Sequence, residues 1–457
     1  MLAVNTELAN SEMIMASRRD ILKFWPSALA VFGTVSAITA FVQPDPSGLL
    51  FCVTITIIYL VGRITFQHYS ETKWDRQGRD LFHGLSTPAY LEWQQEILET
   101  LYCGLEIATV YGRRYPAAII RPSLRWQYPF SGLCELTEVE LPKIQISKKQ
   151  KAYIKMLGRS LKWPHMKGFA LRRIRLDDQS RADVIDVVTT NFLQNVITTH
   201  FLEWELYKFY NENRLKLKDL DQAKILEHLS RRAIYHNGRP GRLAVLEPVS
   251  AYPLIGLQAL VVFRDTRTSS NPIWRIITAK RSNEVVVRPG FFQFQPAGGF
   301  EVYGTEDDDD DYLVSEGFDL TAALFREFSE ELFDAKHLQV KPDSRDPSSV
   351  LSDPHIQQLL ALIDIRKAFV DYLGVVIDLA ILKHDLSFMI LIADENFCRN
   401  PFLGSWEAKN ILGIPPQELR SVLSQGMLSG NSAALLQLAM ESERLRELGI
   451  SKDLTGT

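Results

Sequence analysis

The chain has 457 residues, 46% of them hydrophobic, and a formal charge of −4 from 51 Lys and Arg against 55 Asp and Glu. That length and apolar content support two or three domains with proper cores and exclude a disordered protein. The charge balance excludes wholesale electrostatic binding to nucleic acid, which requires a basic face. Four scattered cysteines, Cys52, Cys103, Cys134 and Cys398, form no C-x-x-C pair and have no His at metal-ligand spacing. Neither a disulfide framework nor a zinc site is expected, and the soluble part is assigned to a reducing compartment.

The first organised segment is residues 1–76. Residues 24–42, FWPSALAVFGTVSAITAFV, run without a charge, a length that matches a bilayer-spanning helix. QPDPSG then breaks the chain, and a second apolar run covers residues 48–66 if Arg63 reaches toward the headgroups. Together they read as a transmembrane hairpin inserted in a lipid bilayer. Arg18, Arg19 and Lys23 precede it and Arg63, Lys73, Arg76 and Arg79 close it, while the turn carries only Asp45. The excess of basic residues at both ends predicts cytoplasmic N- and C-termini. A buried soluble hairpin and a cleaved signal peptide are the competing readings.

Residues 77–239 read as a soluble, mixed α and β middle region of unassigned role. TPAYLEWQQEILETLYCGLEIATVYG has apolar residues at helical spacing, and DVIDVVTTNFLQNVITTHFLEWELYKFY reads as one long helix or two shorter ones. The lysine-rich stretch from Lys143 to Leu176 reads as a solvated surface or as a face for anionic groups. From residue 240 the pattern turns to strands. LQALVVFRDTR and IWRIITAKRS predict a hairpin, followed by a Gly-Gly pair, an acidic insertion, a helix, further strands and C-terminal helices. That order predicts an α/β sandwich over residues 240–457 rather than a doubly wound sheet.

Within this part, LTAALFREFSEELFD is the segment that carries chemistry. Asp319 is placed to cap a helix whose Ala, Leu, Arg and Glu content favours that state. Glu327, Glu330 and Glu331 stand at i, i+3 and i+4, so their carboxylates share one face, where like charges repel unless a cation sits among them. Leu324, Phe325, Phe328 and Leu332 form the apolar stripe. Three carboxylates on a fixed helix suit a hard divalent cation, with Mg2+ (or Mn2+) the natural choice.

PAGGFE followed by AALFREFSEELFD resembles the Nudix box, G-x5-E-x7-R-E-U-x-E-E-x-G-U, in which U is aliphatic and REFSEE supplies the centre. The resemblance implies an α/β/α sandwich with a mixed sheet and hydrolysis of a nucleoside diphosphate linked to another moiety. It also implies metal ligation by Glu327, Glu330 and Glu331, orientation of those carboxylates by Arg326, and a glycine pair at Gly298 and Gly299. The match departs from the pattern in three places. Arg326 follows Gly299 by 27 residues, where the pattern has about half that spacing, so a segment that includes EDDDDDYLVSEG is inserted. Phe318 stands where the first box glutamate belongs, with Glu316 its nearest substitute, and Phe333 with Asp334 replaces the closing G-U. Arg281 and Arg288 are candidate phosphate contacts, and Asp394 and Glu395 are candidate accessory acids. Two functions follow from these features: a membrane-anchored, metal-dependent hydrolase, or a nucleotide sensor or effector that binds without cleaving and acts through the hairpin.

Overall fold

A computed structural model describes residues 78, 81, 83–139, 144–157, 166–213, 221–266, 273–281, 290–302, 314, 317–335, 347–397, 402, 411–424 and 427–455. All of them belong to the unit Asp75–Thr457, the second of two into which the chain divides. The apolar runs at 24–42 and 48–66 lie outside the described residues. Among those residues no helix is long and apolar enough to cross a membrane. This overturns the expectation of a two-span membrane protein with cytoplasmic termini. A spanning helix needs about 20 predominantly apolar residues. The continuous helical stretch from Phe192 to Asn213 has the length, but Glu203, Glu205, Lys208 and Glu212 interrupt it.

Twelve strands are described: β1 (Glu106–Val110), β2 (Arg113–Ile120), β3 (Cys134–Leu136), β4 (Lys167–Leu176), β5 (Ala182–Asn191), β6 (Ile255–Asp265), β7 (Ile273–Lys280), β8 (Phe292–Phe294), β9 (Ala297–Gly299), β10 (Ala368–Asp378), β11 (Lys383–Ile392) and β12 (Ile411–Ile414). The larger sheet has the order β1-β2-β10-β11-β6-β7-β12, with β8 beside β7 and β9 beside β6. The β6–β11 pair is parallel and its neighbours are antiparallel, so the sheet is mixed. β3, β5 and β4 form a second, three-stranded sheet.

Alternation explains the layering. Along β6, Leu257, Ala259, Val261 and Phe263 enter one core, while Leu260 and Val262 enter the other. β11 repeats the division, with Leu386, Phe388 and Ile390 on the first side and Met389 and Leu391 on the second. Strands buried on both faces read as continuous apolar runs, as these do. The first core takes in helices α1 (Pro88–Leu101), α2 (Phe201–Asn213), α3 (Ser230–His236), α4 (Leu320–Phe333) and α5 (Pro354–Asp364). The second is closed by α6 (Gly430–Met440). The architecture is α/β, with helices on both faces of a mixed sheet.

Sheet pairing crosses residue 240. Ile120 of β2 sits opposite Val375 of β10, and β4 runs beside the segment that follows the glycine pair of β9, with Phe169 N–H donating to Phe300 O at 2.9 Å and Val302 N–H to Lys167 O at 3.0 Å. The expected hairpin is present, with Val262 opposite Ile276 and Asp265 opposite Ile273. Two segments read as helical are partly strand: the first leaves the helix after Leu101 and continues as β1, and in the second the strand comes first. Ala182–Asn191 pairs antiparallel with β4, because its Val, Ile and Thr residues fit a pleated surface once a partner strand is present. Helix begins only at Phe192, where the Asn191 side chain accepts from Gln194 N–H.

Candidate functional site

Helix α4 positions the acidic residues. Asp319 caps it, accepting from Thr321 N–H at 2.8 Å and Ala322 N–H at 3.0 Å, which satisfies amides that otherwise lack partners in a first turn. At the other end Asp334 takes the left-handed conformation with φ 52° and bonds back to Ser329 O. Aspartate tolerates that region better than most side chains, so the helix stops cleanly without the glycine of the sequence pattern. Leu324, Phe325, Phe328 and Leu332 are fully buried, which fixes the helix on the first face of the sheet.

This anchoring carries charge into the interior. Arg326 is 1% exposed, and its Nη2 donates to Gly299 O at 3.1 Å and to Glu327 Oε1 at 2.9 Å. Glu301 Oε2 lies 3.8 Å from the same nitrogen, and Glu330 Oε1 lies 3.9 Å from Nε. One guanidinium therefore relieves the repulsion among carboxylates that the helix spacing creates. Glu331 accepts the Ala297 N–H at 2.5 Å. Gly298 is required by close approach, since a Cβ there would stand 1.8 Å from Glu327 Oε2. Behind the helix, Ser329 Oγ donates to Asp353 Oδ1 at 2.8 Å, and the same oxygen caps α5 by accepting from His355 N–H.

The structure thus brings Gly298, Gly299, Arg326, Glu327, Glu330 and Glu331 together. Arg281 is engaged by Gln293 Oε1, to which its Nη1 donates. Arg288 and Glu316 lie outside the described residues. Asp394 and Glu395 sit elsewhere: Gly298 pairs with Leu257, whereas Ile392, two residues before Asp394, pairs with Phe263. At about 3.3 Å per residue the separation along the sheet is roughly 20 Å. Asp394 is bound by Lys367 Nζ at 2.9 Å, and Glu395 faces Arg264 at 3.3 Å. Burial pushes the Asp394 carboxyl up, but the Lys367 ammonium and the Asn396 and Phe397 amides outweigh it and hold the group below its ordinary value. Glu301 is the residue that sequence reasoning missed. Its signal was adjacency, since it closes PAGGFE two places after Gly299.

By donor chemistry the carboxylates fit Mg2+ or Mn2+, which take oxygen ligands. Among the described residues, no group of three or more His, Cys, Asp or Glu side chains is placed to hold a metal ion. Glu327 and Glu331 are instead committed to Arg326 and to the Ala297 amide.

No protein-family model and no curated protein matches the sequence. Among solved structures the chain is similar to a NUDIX hydrolase from Alicyclobacillus acidocaldarius, at 15% identity and a TM-score of 0.24, over 44% of this chain and 96% of that one. Likeness at that level establishes neither the fold nor the activity of this chain.

Proposed function

We propose that the site on α4 belongs to a Nudix-type hydrolase that cleaves a nucleoside diphosphate linked to another moiety and depends on a divalent cation. One observation carries this reading. Across an interval of 27 residues, the Gly-Gly loop and the REFSEE helix meet, through Arg326 on Gly299 O, Glu327 against Gly298 and Glu331 on the Ala297 amide. A chance charged helix would face solvent rather than enclose a backbone turn from a distant strand.

In this reading Glu327, Glu330 and Glu331 hold Mg2+ or Mn2+, which supplies neutralisation of phosphate oxygens and a water of lowered pKa. Arg326 sets the rotamers of the glutamates, and Gly298 leaves room for the Glu327 carboxylate. Glu330, whose side chain is 18% exposed, would accept a proton from the attacking water. Arg281 contributes a phosphate contact from the end of β7.

A second reading is nucleotide binding without turnover. It is favoured by the absence, among the described residues, of carboxylates gathered to hold a metal. The full chain, incubated with dinucleoside polyphosphates, nucleotide sugars and nucleoside triphosphates in Mg2+, Mn2+ or EDTA, separates the two. Metal-dependent cleavage that disappears in Glu330→Gln supports the hydrolase. Nucleotide binding by a folded protein that cleaves none of them establishes the binder.

A further inference from the structure

Two glutamines flank Phe294, Gln293 within β8 and Gln295 in the bend that leads from β8 to the glycine pair of β9, and both are buried, at 7% and 1% exposure respectively. Gln293 is explained by the protein itself. Its Oε1 accepts from Arg281 Nη1, and because a guanidinium only donates, the amide orientation is fixed. Gln295 is not explained in this way. Its Oε1 is buried without a hydrogen-bond partner among the described residues.

A buried carboxamide oxygen left unpaired is costly, about 1–3 kcal/mol by mutational measures. Methionine has nearly the same length and would fill the space without an orphaned polar group. Position gives the glutamine a purpose. Two residues further on, Ala297 donates its N–H to Glu331, and Gly298 lies against Glu327, so Gln295 belongs to the same short segment whose backbone meets the proposed catalytic carboxylates.

We propose that Gln295 is a specificity-determining residue that hydrogen-bonds the nucleoside portion of the substrate. The inference rests on the nucleotide reading above and adds the group that reads the nucleotide. A carboxamide presents a carbonyl and an amino group side by side. Its complement is an edge with an adjacent donor and acceptor, which a nucleobase supplies, or the hydroxyls of a ribose. Both sources share the same chemistry, and binding measurements separate them.

The test compares the full-length wild type with Gln295→Met by calorimetric binding of ADP, UDP and 2′-deoxy-ADP, alongside thermal unfolding without ligand. Gln295→Met is expected to weaken the preferred nucleotide by roughly tenfold or more while raising Tm by about two degrees, because an unpaired polar group has been removed. If the base is read, the preference between ADP and UDP collapses in the variant. If the ribose is read, ADP and UDP weaken equally, and wild type binds 2′-deoxy-ADP as weakly as the variant binds ADP. Unchanged affinity, or a variant that fails to fold or melts lower, overturns the assignment, because the amide is then structural. A folded wild type that binds none of the nucleotides overturns the nucleotide reading itself.

Discussion

Helices α4 and α6 press on opposite faces of one sheet. α4 buries Arg326, Glu327 and Glu331 among Leu324, Phe325 and Phe328, whereas α6 buries Ala433, Ala434, Leu435 and Leu436, with Ser432 as its polar contact to Phe294 N–H. The apolar helix needs only burial to stay in place, since each Leu side chain contributes about 1.5–3 kcal/mol on leaving water. The charged helix gains from its Phe and Leu stripe and then loses some of that gain to desolvation of its ions. It holds its position because Arg326, the Gly299 carbonyl and the Ala297 amide accept those charges. Charge retained at such a cost marks the face on which chemistry is expected.

The sharpest way to break this comparison is to remove the central cation. Arg326→Leu removes the guanidinium that Glu327 binds and is expected to destabilise the protein by about 3–5 kcal/mol, measured by urea unfolding, with cleavage abolished. Leu435→Ala on the opposite face is expected to cost a similar 2–5 kcal/mol or so, while folded molecules keep their turnover. Equal loss of turnover in both variants would show that the two faces are not functionally distinct.

A smaller change separates stability from activity on α4 itself. In Gly298→Ala the new Cβ would lie 1.8 Å from Glu327 Oε2, and the side chain yields by swinging away. Stability should fall by about 1–3 kcal/mol, while turnover falls on the order of a hundredfold, as a misplaced catalytic group would dictate.

Acid should reach one face before the other. Burial, with the Lys383 and Arg281 charges added, depresses His200 to about 3, and burial likewise holds His236 and His384 near 4, from an ordinary value of 6.5. A histidine kept neutral by folding contributes fully above its unfolded pKa, so stability is lost as pH falls from about 6.5 toward 4. Residues 411–457 contain no histidine. Hydrogen exchange between pH 7 and 5 should therefore show protection falling around His200 and in α3, with α6 changing least. Uniform loss of protection across both faces would remove this distinction.

Much of α4 was legible in the sequence. Its cap, its apolar stripe and its acidic face follow from spacings of one to four residues, the range over which helical periodicity acts. The hairpin of β6 and β7 was equally plain from two apolar runs and a turn. Ala182–Asn191 was misread because its apolar residues suit a helix or a strand, and pairing with β4 decided between them. Asp394 and Glu395 are candidates only because the resemblance implies an assisting acid on a later loop, yet strand register carries them to the far end of the sheet. Glu301 and Gln295 stood within the quoted segment but had no local pattern to single them out.

By itself, the sequence determined where a charged helix begins and ends, which residues on it share a face, and where glycine permits close approach. Tertiary structure alone decided that Arg326 would meet the Gly299 carbonyl and that β1 and β2 would join the sheet of the C-terminal half. It also decided that the Gln295 Oε1 would be buried without a partner among the described residues. The reason is the range of the forces that choose each feature: helix caps and periodicity are settled within a turn, whereas strand register and the pairing of a buried ion depend on surfaces brought together from distant parts of the chain.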